Sequence, residues 1–209
     1  MTGPFNPAAE RNRVPILAAI SPYLTQAREV LELGAGSGQH ALYFASRLPH
    51  LRWQASEQPA NLAGLAFNLA QPAMINLPTP LALDVLDLPW PQRDLDGIFA
   101  ANVVQCMRWE AVEAMFGGVA AALAADGVFL LYGPFNRDGR FTSEGNLQLD
   151  AWARSLDAGF GLRDRAVLET LASQHRLRLW EDHPMPANNQ LLCWRRLDTT
   201  STKPTGRNK

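Results

Sequence analysis

Residues 30–40, with the sequence VLELGAGSGQH, combine an apolar run, a glycine-rich turn and the start of a helical pattern. An apolar run of this kind is typical of a buried parallel strand, and glycines allow the backbone to turn sharply and to approach a ligand closely. A helix that begins near Ser37 would direct its free N–H groups at that ligand. The stretch therefore predicts a binding site for a nucleotide-type cofactor.

The spacing of the glycines narrows the choice of cofactor. They occupy positions 34, 36 and 38, whereas the dinucleotide fingerprint G-x-G-x-x-G requires a glycine at position 39, where the chain has Gln39. Glu32 would sit poorly beside a pyrophosphate, but it suits a ligand that carries an ammonium and a sulfonium group. S-adenosylmethionine is such a ligand, and we predict it as the cofactor, bound by Glu32, Gly34, Gly36 and Gly38.

Further residues fall where a parallel sheet would bring them close to the glycines. Glu57 closes the second predicted strand, about 20 residues after Gly38, where a carboxylate can accept both ribose hydroxyls. Asp84 closes the third strand and can accept from the adenine amino group, while Val85 offers its backbone N–H to the ring. Asn102 follows the fourth strand and is assigned to the same cofactor site.

These side chains need an alternation of strands and helices to bring them together. Apolar periodicity predicts strands over 29–33, 51–56, 80–85, 95–101, 128–132, 176–181 and 190–195, and helices over 39–48, 59–70, 109–123, 146–156 and 163–173. This alternation predicts an α/β fold with a mostly parallel sheet, helices on both faces and a C-terminal hairpin. Within the N-terminal segment, 1–25, we expect irregular backbone up to residue 13, followed by a short helix over 14–23.

The composition is that of one globular domain, predicted over residues 1–197, with a disordered tail over 198–209. The 209 residues are 47% hydrophobic, and the formal net charge of -1 predicts neither a nucleic-acid nor a membrane partner. Because the chain has no signal-peptide pattern and no apolar window of about 18 residues, we expect a cytoplasmic protein. Cys106 and Cys193 lie far apart without clustered histidines, so neither a disulfide framework nor a metal site is predicted.

The sequence VLELGAGSG resembles the first motif of class I S-adenosylmethionine-dependent methyltransferases, and the acids at 57 and 84 fall in step with that family's pattern. The resemblance implies a Rossmann-like sheet of seven strands that ends in an antiparallel hairpin. A closer resemblance, over about residues 5–196, is to the uncharacterised family of methyltransferase-like protein twenty-six; it is carried by FNPAAERN, GSGQHALYFA, LALDV, WPQRDLDGIFAAN, LYGPFNRDGRFTSEGN and MPANN. That family often has Ala at position 34 and His at position 105, where this chain has Gly34 and Gln105.

Residues outside the strand ends are predicted to bind the methyl acceptor. Methyl transfer is an in-line displacement whose leaving group becomes neutral, so the main tasks are to align the acceptor and to exclude water. Polar residues follow the fifth strand, lie in the late hairpin loop, or belong to an N-terminal segment that can fold over as a lid. The predicted acceptor residues are Arg11, Asn12, Tyr132, Arg137 and Asn188.

Two residues are candidates for a catalytic role, His40 and Tyr132. His40 is considered because the unperturbed pKa of histidine lies near neutrality. A histidine in the first turn of a helix more often forms a local hydrogen bond, so a structural role stays open. We predict a methyltransferase that acts on a small molecule. The alternatives are a non-catalytic binding or scaffold protein with the same fold, and a nicotinamide-dependent oxidoreductase, against which Gln39 and Glu32 argue.

Overall fold

The structure of the protein is a computed structural model that describes residues 5–70 and 73–197. The predicted tail, 198–209, lies outside the described residues. The helices and strands follow one another as α1 (Pro7–Ile20), a 3-10 turn (Ser21–Leu24), β1 (Glu29–Leu33), α2 (Gln39–Arg47), β2 (Arg52–Glu57), α3 (Leu62–Leu69), β3 (Leu81–Ala82), β4 (Leu95–Ala101), α4 (Trp109–Ala122), β5 (Leu123–Gly133), α5 (Glu144–Leu156), α6 (Arg165–Gln174), β6 (Leu177–Met185) and β7 (Asn189–Arg196).

The strands form a seven-stranded sheet in the order β3-β2-β1-β4-β5-β7-β6. The strands β1 to β5 pair in parallel, whereas β7 pairs antiparallel with both β5 and β6. The chain reverses its direction of travel across the sheet between β1 and β4, and ligands bind beyond the carboxyl ends of strands at such a switch point. The predicted Rossmann-like fold, a mostly parallel sheet with a C-terminal antiparallel hairpin, is confirmed.

Two hydrophobic clusters cover the two faces of the sheet. Side chains alternate between the faces along each strand, so Leu31 packs in the cluster that contains Phe116 of α4, while Val30 packs in the cluster that contains Phe44 of α2. Ile16 of α1 belongs to the second of these clusters and is fully buried. The apolar half of α1 is therefore part of the core.

The N-terminal helix begins earlier than the apolar periodicity predicts. Irregular backbone up to residue 13 is wrong, because α1 begins at Pro7. The side chain of Asn6 accepts hydrogen bonds from the backbone N–H groups of Ala8 and Ala9, and Pro7 occupies the first turn, where its missing N–H costs nothing. The Asn-Pro pair is the start signal that the periodicity misses, since the first turns of α1 carry few apolar residues.

The strands β3, β5 and β6 differ most from their predicted lengths, and β6 runs to Met185 where the pattern predicts an end at 181. The strand expected over 80–85 pairs only at Leu81–Ala82, after which the chain turns and the Asp84 carboxylate accepts from the N–H of Leu86. In contrast, β5 begins at Leu123, five residues before the expected 128. Asp126 lies at an irregularity within β5, where its φ is 63° and the pairing register with β4 shifts.

Candidate active site

A first cavity of about 420 Å³ opens beyond the carboxyl ends of the central parallel strands. Five of the predicted cofactor residues line it: Gly34, Glu57, Asp84, Val85 and Asn102. Each of them lies at a strand end or within three residues of one, so the parallel sheet itself brings them together. A side pocket of about 460 Å³, next to the first cavity, is lined by Gly36 and shares Glu57 with that cavity.

The three glycines of the turn after β1 all have positive φ angles, of 64° at Gly34, 57° at Gly36 and 76° at Gly38. A Cβ at Gly36 would meet nothing within 4 Å, so this backbone faces open space. A Cβ at Gly38 would lie 2.7 Å from Leu69 Cδ2, and one at Gly34 would lie 2.7 Å from Val103 Cγ1. Gly36 therefore allows a ligand to approach, and Gly38 allows α2 to pack against α3.

Glu57 ties the second strand to the glycine turn. Its Oε2 accepts from the backbone N–H of Gly36 at 2.7 Å, and its Oε1 accepts from the N–H of Gln58 at 2.9 Å. A carboxylate held in this way by two N–H groups has a fixed orientation at the edge of the cavity, and each oxygen keeps a further lone pair.

Glu32 is a buried carboxyl on β1 and is 2% exposed. Its Oε2 accepts from the indole Nε1 of Trp53 at 2.7 Å. Burial raises the pKa of Glu32 to about 7; the Trp53 hydrogen bond opposes this rise, and the nearby charge of Glu57 adds to it. Because a neighbouring positive charge favours the ionised form, a cationic ligand beside Glu32 would lower this pKa again.

A second cavity of about 570 Å³ adjoins the first, and both are lined by Asn102 and Cys106. Three predicted acceptor residues line the second cavity, namely Arg11, Asn12 and Tyr132. Its remaining walls come from α1, the turn after β4, α5 and the loop before β7. A molecule in the second cavity would therefore lie next to a molecule in the first.

The start of α2 holds α1 over the second cavity. Gln39 Oε1 accepts from the N–H of Asn6 at 2.6 Å, and Gln39 Nε2 donates to Glu10 at 3.0 Å. His40 Nε2 lies 2.7 Å from the side-chain oxygen of Asn12. The two sequence stretches FNPAAERN and GSGQH are thus in direct contact, and the residue that breaks the dinucleotide spacing, Gln39, fixes the N-terminal helix.

The titratable groups around the second cavity are poor bases near neutral pH. Burial raises the pKa of Tyr132, and the nearby side chain of Asn12 opposes this rise. Burial also raises the pKa of the Cys106 thiol. Neither a carboxylate nor an imidazole is among the described residues that line this cavity. His40 lies behind Asn12, and burial, together with the charge of Arg13, lowers the pKa of His40 to about 4.

The model of a family described as "Protein of unknown function (DUF938)" matches residues 3–196. The chain belongs to the DUF938 family. No chemistry is assigned by that description.

Solved structures show the same fold at low identity. Mitomycin 7-O-methyltransferase MmcR matches the DUF938 chain with a TM-score of 0.79 and 18% identity, over 90% of this chain and 54% of that one. Human N-acetylserotonin methyltransferase, solved in complex with SAM, matches with a TM-score of 0.74 and 16% identity, over 90% of this chain and 52% of that one. PigF, solved with SAH, matches with a TM-score of 0.73 and 18% identity, over 91% and 64%. The chain spans a little over half the length of most of these proteins, and it shares their methyltransferase fold.

Two predicted acceptor residues of the DUF938 chain, Arg137 and Asn188, are not among the residues that line the second cavity. Arg137 donates to Asp182 Oδ2 at 3.0 Å and to Gln190 Oε1 at 2.8 Å, and it lines a separate surface pocket. The carbonyl of Asn188 accepts from Asn146 Nδ2 at 3.4 Å, while the residue that follows it, Asn189, lines the second cavity. A one-residue shift in a hairpin loop cannot be determined from a sequence pattern.

Other lining residues of the DUF938 chain carry no local sequence signal. Gln105 and Trp152 line the second cavity, and Asn61 and Phe160 line the first. Trp152 lies on α5 and is 52% exposed, which distinguishes it from the core tryptophans but is visible only once α5 is placed beside α1.

Within 5–70 and 73–197, no helix is long and apolar enough to cross a membrane. Over the same residues, no group of three or more His, Cys, Asp or Glu side chains is arranged to hold a metal ion.

Proposed function

We propose that this protein is an S-adenosylmethionine-dependent methyltransferase that acts on a small molecule. The observation that carries the proposal is the junction of two cavities at Asn102 and Cys106, beyond the switch point of a methyltransferase fold. One cavity then takes the methyl donor and the other the acceptor. The fold neighbours that bind SAM or SAH support this assignment.

The first cavity fits a cationic nucleoside. The lining residues that the structure describes include three carboxylates, from Glu57, Asp84 and Glu110, and one guanidinium, that of Arg108. Arg108 is itself paired with Asp157 at 2.7 Å, so the cavity has an excess of negative charge. The open space over Gly36 gives a ligand room beside the backbone.

Each cofactor residue takes the role that its position supports. Glu57 accepts from the ribose hydroxyls, Asp84 from the adenine amino group, and Val85 donates its N–H to the ring. Gly34, Gly36 and Gly38 shape the turn, Asn102 closes the site toward the acceptor, and Glu32 meets the ammonium group directly or through water. When bound, S-adenosylmethionine supplies an electrophilic methyl group on a sulfonium.

The residues of the second cavity align the acceptor and exclude water. Asn12 and Tyr132 both line the cavity and present polar atoms that can orient a ligand, and His40 acts as a positioning residue behind Asn12. The first turns of α1 cover this site as a lid. Arg137 and Asn188 support the hairpin loop that closes it. The proposal also includes one domain over 1–197, a cytoplasmic location, and the finer resemblance to the methyltransferase-like protein twenty-six family.

A non-catalytic binding protein with the same fold is the second candidate. The specific observation in its favour is that no described group lining the second cavity is a base near neutral pH. Methyl transfer does not require a strong base, so this observation does not decide between the two. Incubation of the purified protein with a cell extract and labelled S-adenosylmethionine distinguishes the two candidates. Only an enzyme adds label to an acceptor beyond the label that the extract incorporates by itself.

Isothermal titration with S-adenosylmethionine and S-adenosylhomocysteine tests the cofactor site. Loss of two hydrogen bonds to ribose in Glu57→Ala should weaken binding by about 1–3 kcal/mol. Glu57→Gln, which keeps one oxygen to accept from Gly36, separates lost ligand contacts from a loosened glycine turn. Glu169→Ala on α6, whose partner Arg165 lies 3.7 Å away outside both cavities, is the matched control and should bind normally. If neither compound binds to the folded wild-type protein, the cofactor assignment is wrong. If Glu57→Ala binds them with unchanged affinity, Glu57 does not belong to the cofactor site.

A further inference from the structure

The charge of the second cavity is opposite to that of the first. Arg11 provides the only formal charge among the described residues that line it. The neighbouring Arg13 is paired with Glu10 at 2.5 Å and lies over the Tyr43 ring, and Arg137 is paired with Asp182. For the guanidinium of Arg11, in contrast, the described part of the chain provides neither an ion pair nor a hydrogen bond. An exposed guanidinium at the mouth of a cavity is a ready partner for a carboxylate or a phosphate.

Gln105 adds a second recognition feature at the junction with the first cavity. The side chain is 5% exposed and lines the second cavity. Its Oε1 is buried without a hydrogen-bond partner in the described structure. A buried carbonyl oxygen is costly unless a donor reaches it. A hydroxyl or amino group on a ligand in this cavity would be such a donor.

The remaining walls suit a compact ring. Trp152 presents an exposed indole, and Leu149, Pro15 and Ala187 add apolar surface. The volume of about 570 Å³ is that of an ordinary small-molecule pocket. A cationic ligand would lie beside Arg11 with no carboxylate in the described lining to balance it.

We infer that the acceptor is a small aromatic anion whose negative group binds Arg11 and whose hydroxyl or amino group donates to Gln105. The inference rests on the proposed function, because it takes the second cavity as the acceptor site. It specifies the charge, the ring and the donor of the acceptor, and it names Arg11 and Gln105 as specificity-determining residues.

A panel of matched aromatic compounds tests this inference by binding to protein saturated with S-adenosylhomocysteine. Each ring is offered as a carboxylate, as a phosphate monoester and as the uncharged carboxamide, with and without a hydroxyl or amino substituent; 4-hydroxybenzoate and 4-hydroxybenzamide are one such pair. We expect anions to bind at least about tenfold more tightly than their carboxamides. The carboxylate and phosphate arms show which anion the site prefers.

Three variants assign the selectivity to residues. Arg11→Gln should bring anions and carboxamides to within about twofold of each other, while Arg13→Gln, the matched control, keeps the preference for anions. Gln105→Leu should remove most of the gain from the hydroxyl or amino group and leave the anion preference unchanged.

The inference is overturned if carboxamides bind as tightly as anions, if no anion in the panel binds, or if Arg11→Gln keeps the full preference. Binding of S-adenosylhomocysteine is measured first. Its absence refutes the proposed function, and its presence together with a failed panel refutes the acceptor class alone.

Discussion

The two cavities differ in how the chain builds them. The first is lined largely by residues that directly follow parallel strands, so the sheet collects them at one edge. The second is assembled from α1, the turn after β4, α5 and the loop before β7, which are brought together only by the packing of the finished fold. Among the described lining residues, the first cavity has excess negative charge and the second has a single positive charge. A local sequence pattern can therefore predict the lining of the first cavity, whereas the lining of the second depends on packing between remote elements.

Each cavity also has a buried titratable residue beside it, and these two respond to pH in opposite ways. Glu32 precedes the glycine turn of the first cavity, and its pKa is raised to about 7. His40 supports Asn12 at the second cavity, and its pKa is lowered to about 4. Both residues are held in their neutral forms by burial, so each opposes folding in the pH range where the unfolded chain would ionise it.

Glu32→Gln is expected to have the largest effect on stability. Above pH 4.5 the unfolded carboxyl ionises while the folded one stays protonated until about pH 7, so stability is lost as the pH rises through this window. At pH 8 the substitution should raise the free energy of unfolding by about 3 kcal/mol, and the gain should vanish near pH 4. Urea unfolding at both pH values measures this.

The same variant should bind S-adenosylmethionine about tenfold more weakly, because a neutral amide cannot balance an ammonium group. A stability gain that does not change with pH would contradict the raised pKa. Unchanged affinity for the cofactor would mean that Glu32 does not contact a ligand in the first cavity. The difference in charge between the two cavities would then rest on the other lining residues alone.

His40→Gln should have the opposite pH dependence and a slightly smaller effect at pH 4, because the folded imidazole itself begins to take up a proton there. The unfolded imidazole gains a proton below pH 6.5 while the folded one stays neutral until about pH 4, so wild-type stability is lost as the pH falls through this window. The glutamine can still donate to Asn12, and it removes a destabilisation that reaches about 3 kcal/mol near pH 4.

The free energy of unfolding of the variant minus that of the wild type should therefore rise from pH 7 to pH 4. Urea unfolding across that range measures this difference. Loss of stacking against Phe44 adds a constant offset that does not depend on pH. A flat difference between the two proteins would mean that folding leaves the pKa of His40 near its ordinary value, and a histidine that titrates near neutral pH would return to consideration as a base.

The local pattern of apolar residues predicts the bounds of strands that are buried on both faces. The bounds of β1 and β4 agree with those expected from the sequence, because each is an apolar run with a paired strand on either side and a hydrophobic cluster on each face. The periodicity misses the start of α1, where the helix is specified by the Asn6 cap rather than by an apolar stripe. It also overextends β3, since a short edge strand has a partner on one side only.

The residues of the candidate site show the same difference between positions set by the sheet and positions set by later packing. Glu57, Asp84 and Asn102 meet in one cavity because strand order alone brings their strand ends together. Arg137 follows a strand end as well, but its ion pair with Asp182 draws it toward the hairpin. Gln105 and Trp152 meet in the second cavity only through helix packing, for which the sequence has no local pattern.

Two adjacent glycines of α4 provide the smallest and most selective test of the first cavity. A Cβ at Gly118 would overlap the ring of Trp90, a residue that is 2% exposed and whose Nε1 donates to the carbonyl of Val85 at 3.4 Å. Gly118→Ala should cost about 1–3 kcal/mol of stability through overpacking and, because Val85 lines the first cavity, weaken cofactor binding.

A Cβ at the neighbouring Gly117 would meet His175 at 3.4 Å, an ordinary contact. Gly117→Ala should therefore stabilise the protein by about 0.5–1 kcal/mol through helix propensity and leave cofactor binding unchanged. Urea unfolding and cofactor titration of the two variants compare a change beneath the first cavity with a matched change one residue away. If both alanines acted alike, Trp90 would not support Val85, and the sheet edge alone would account for the shape of the first cavity.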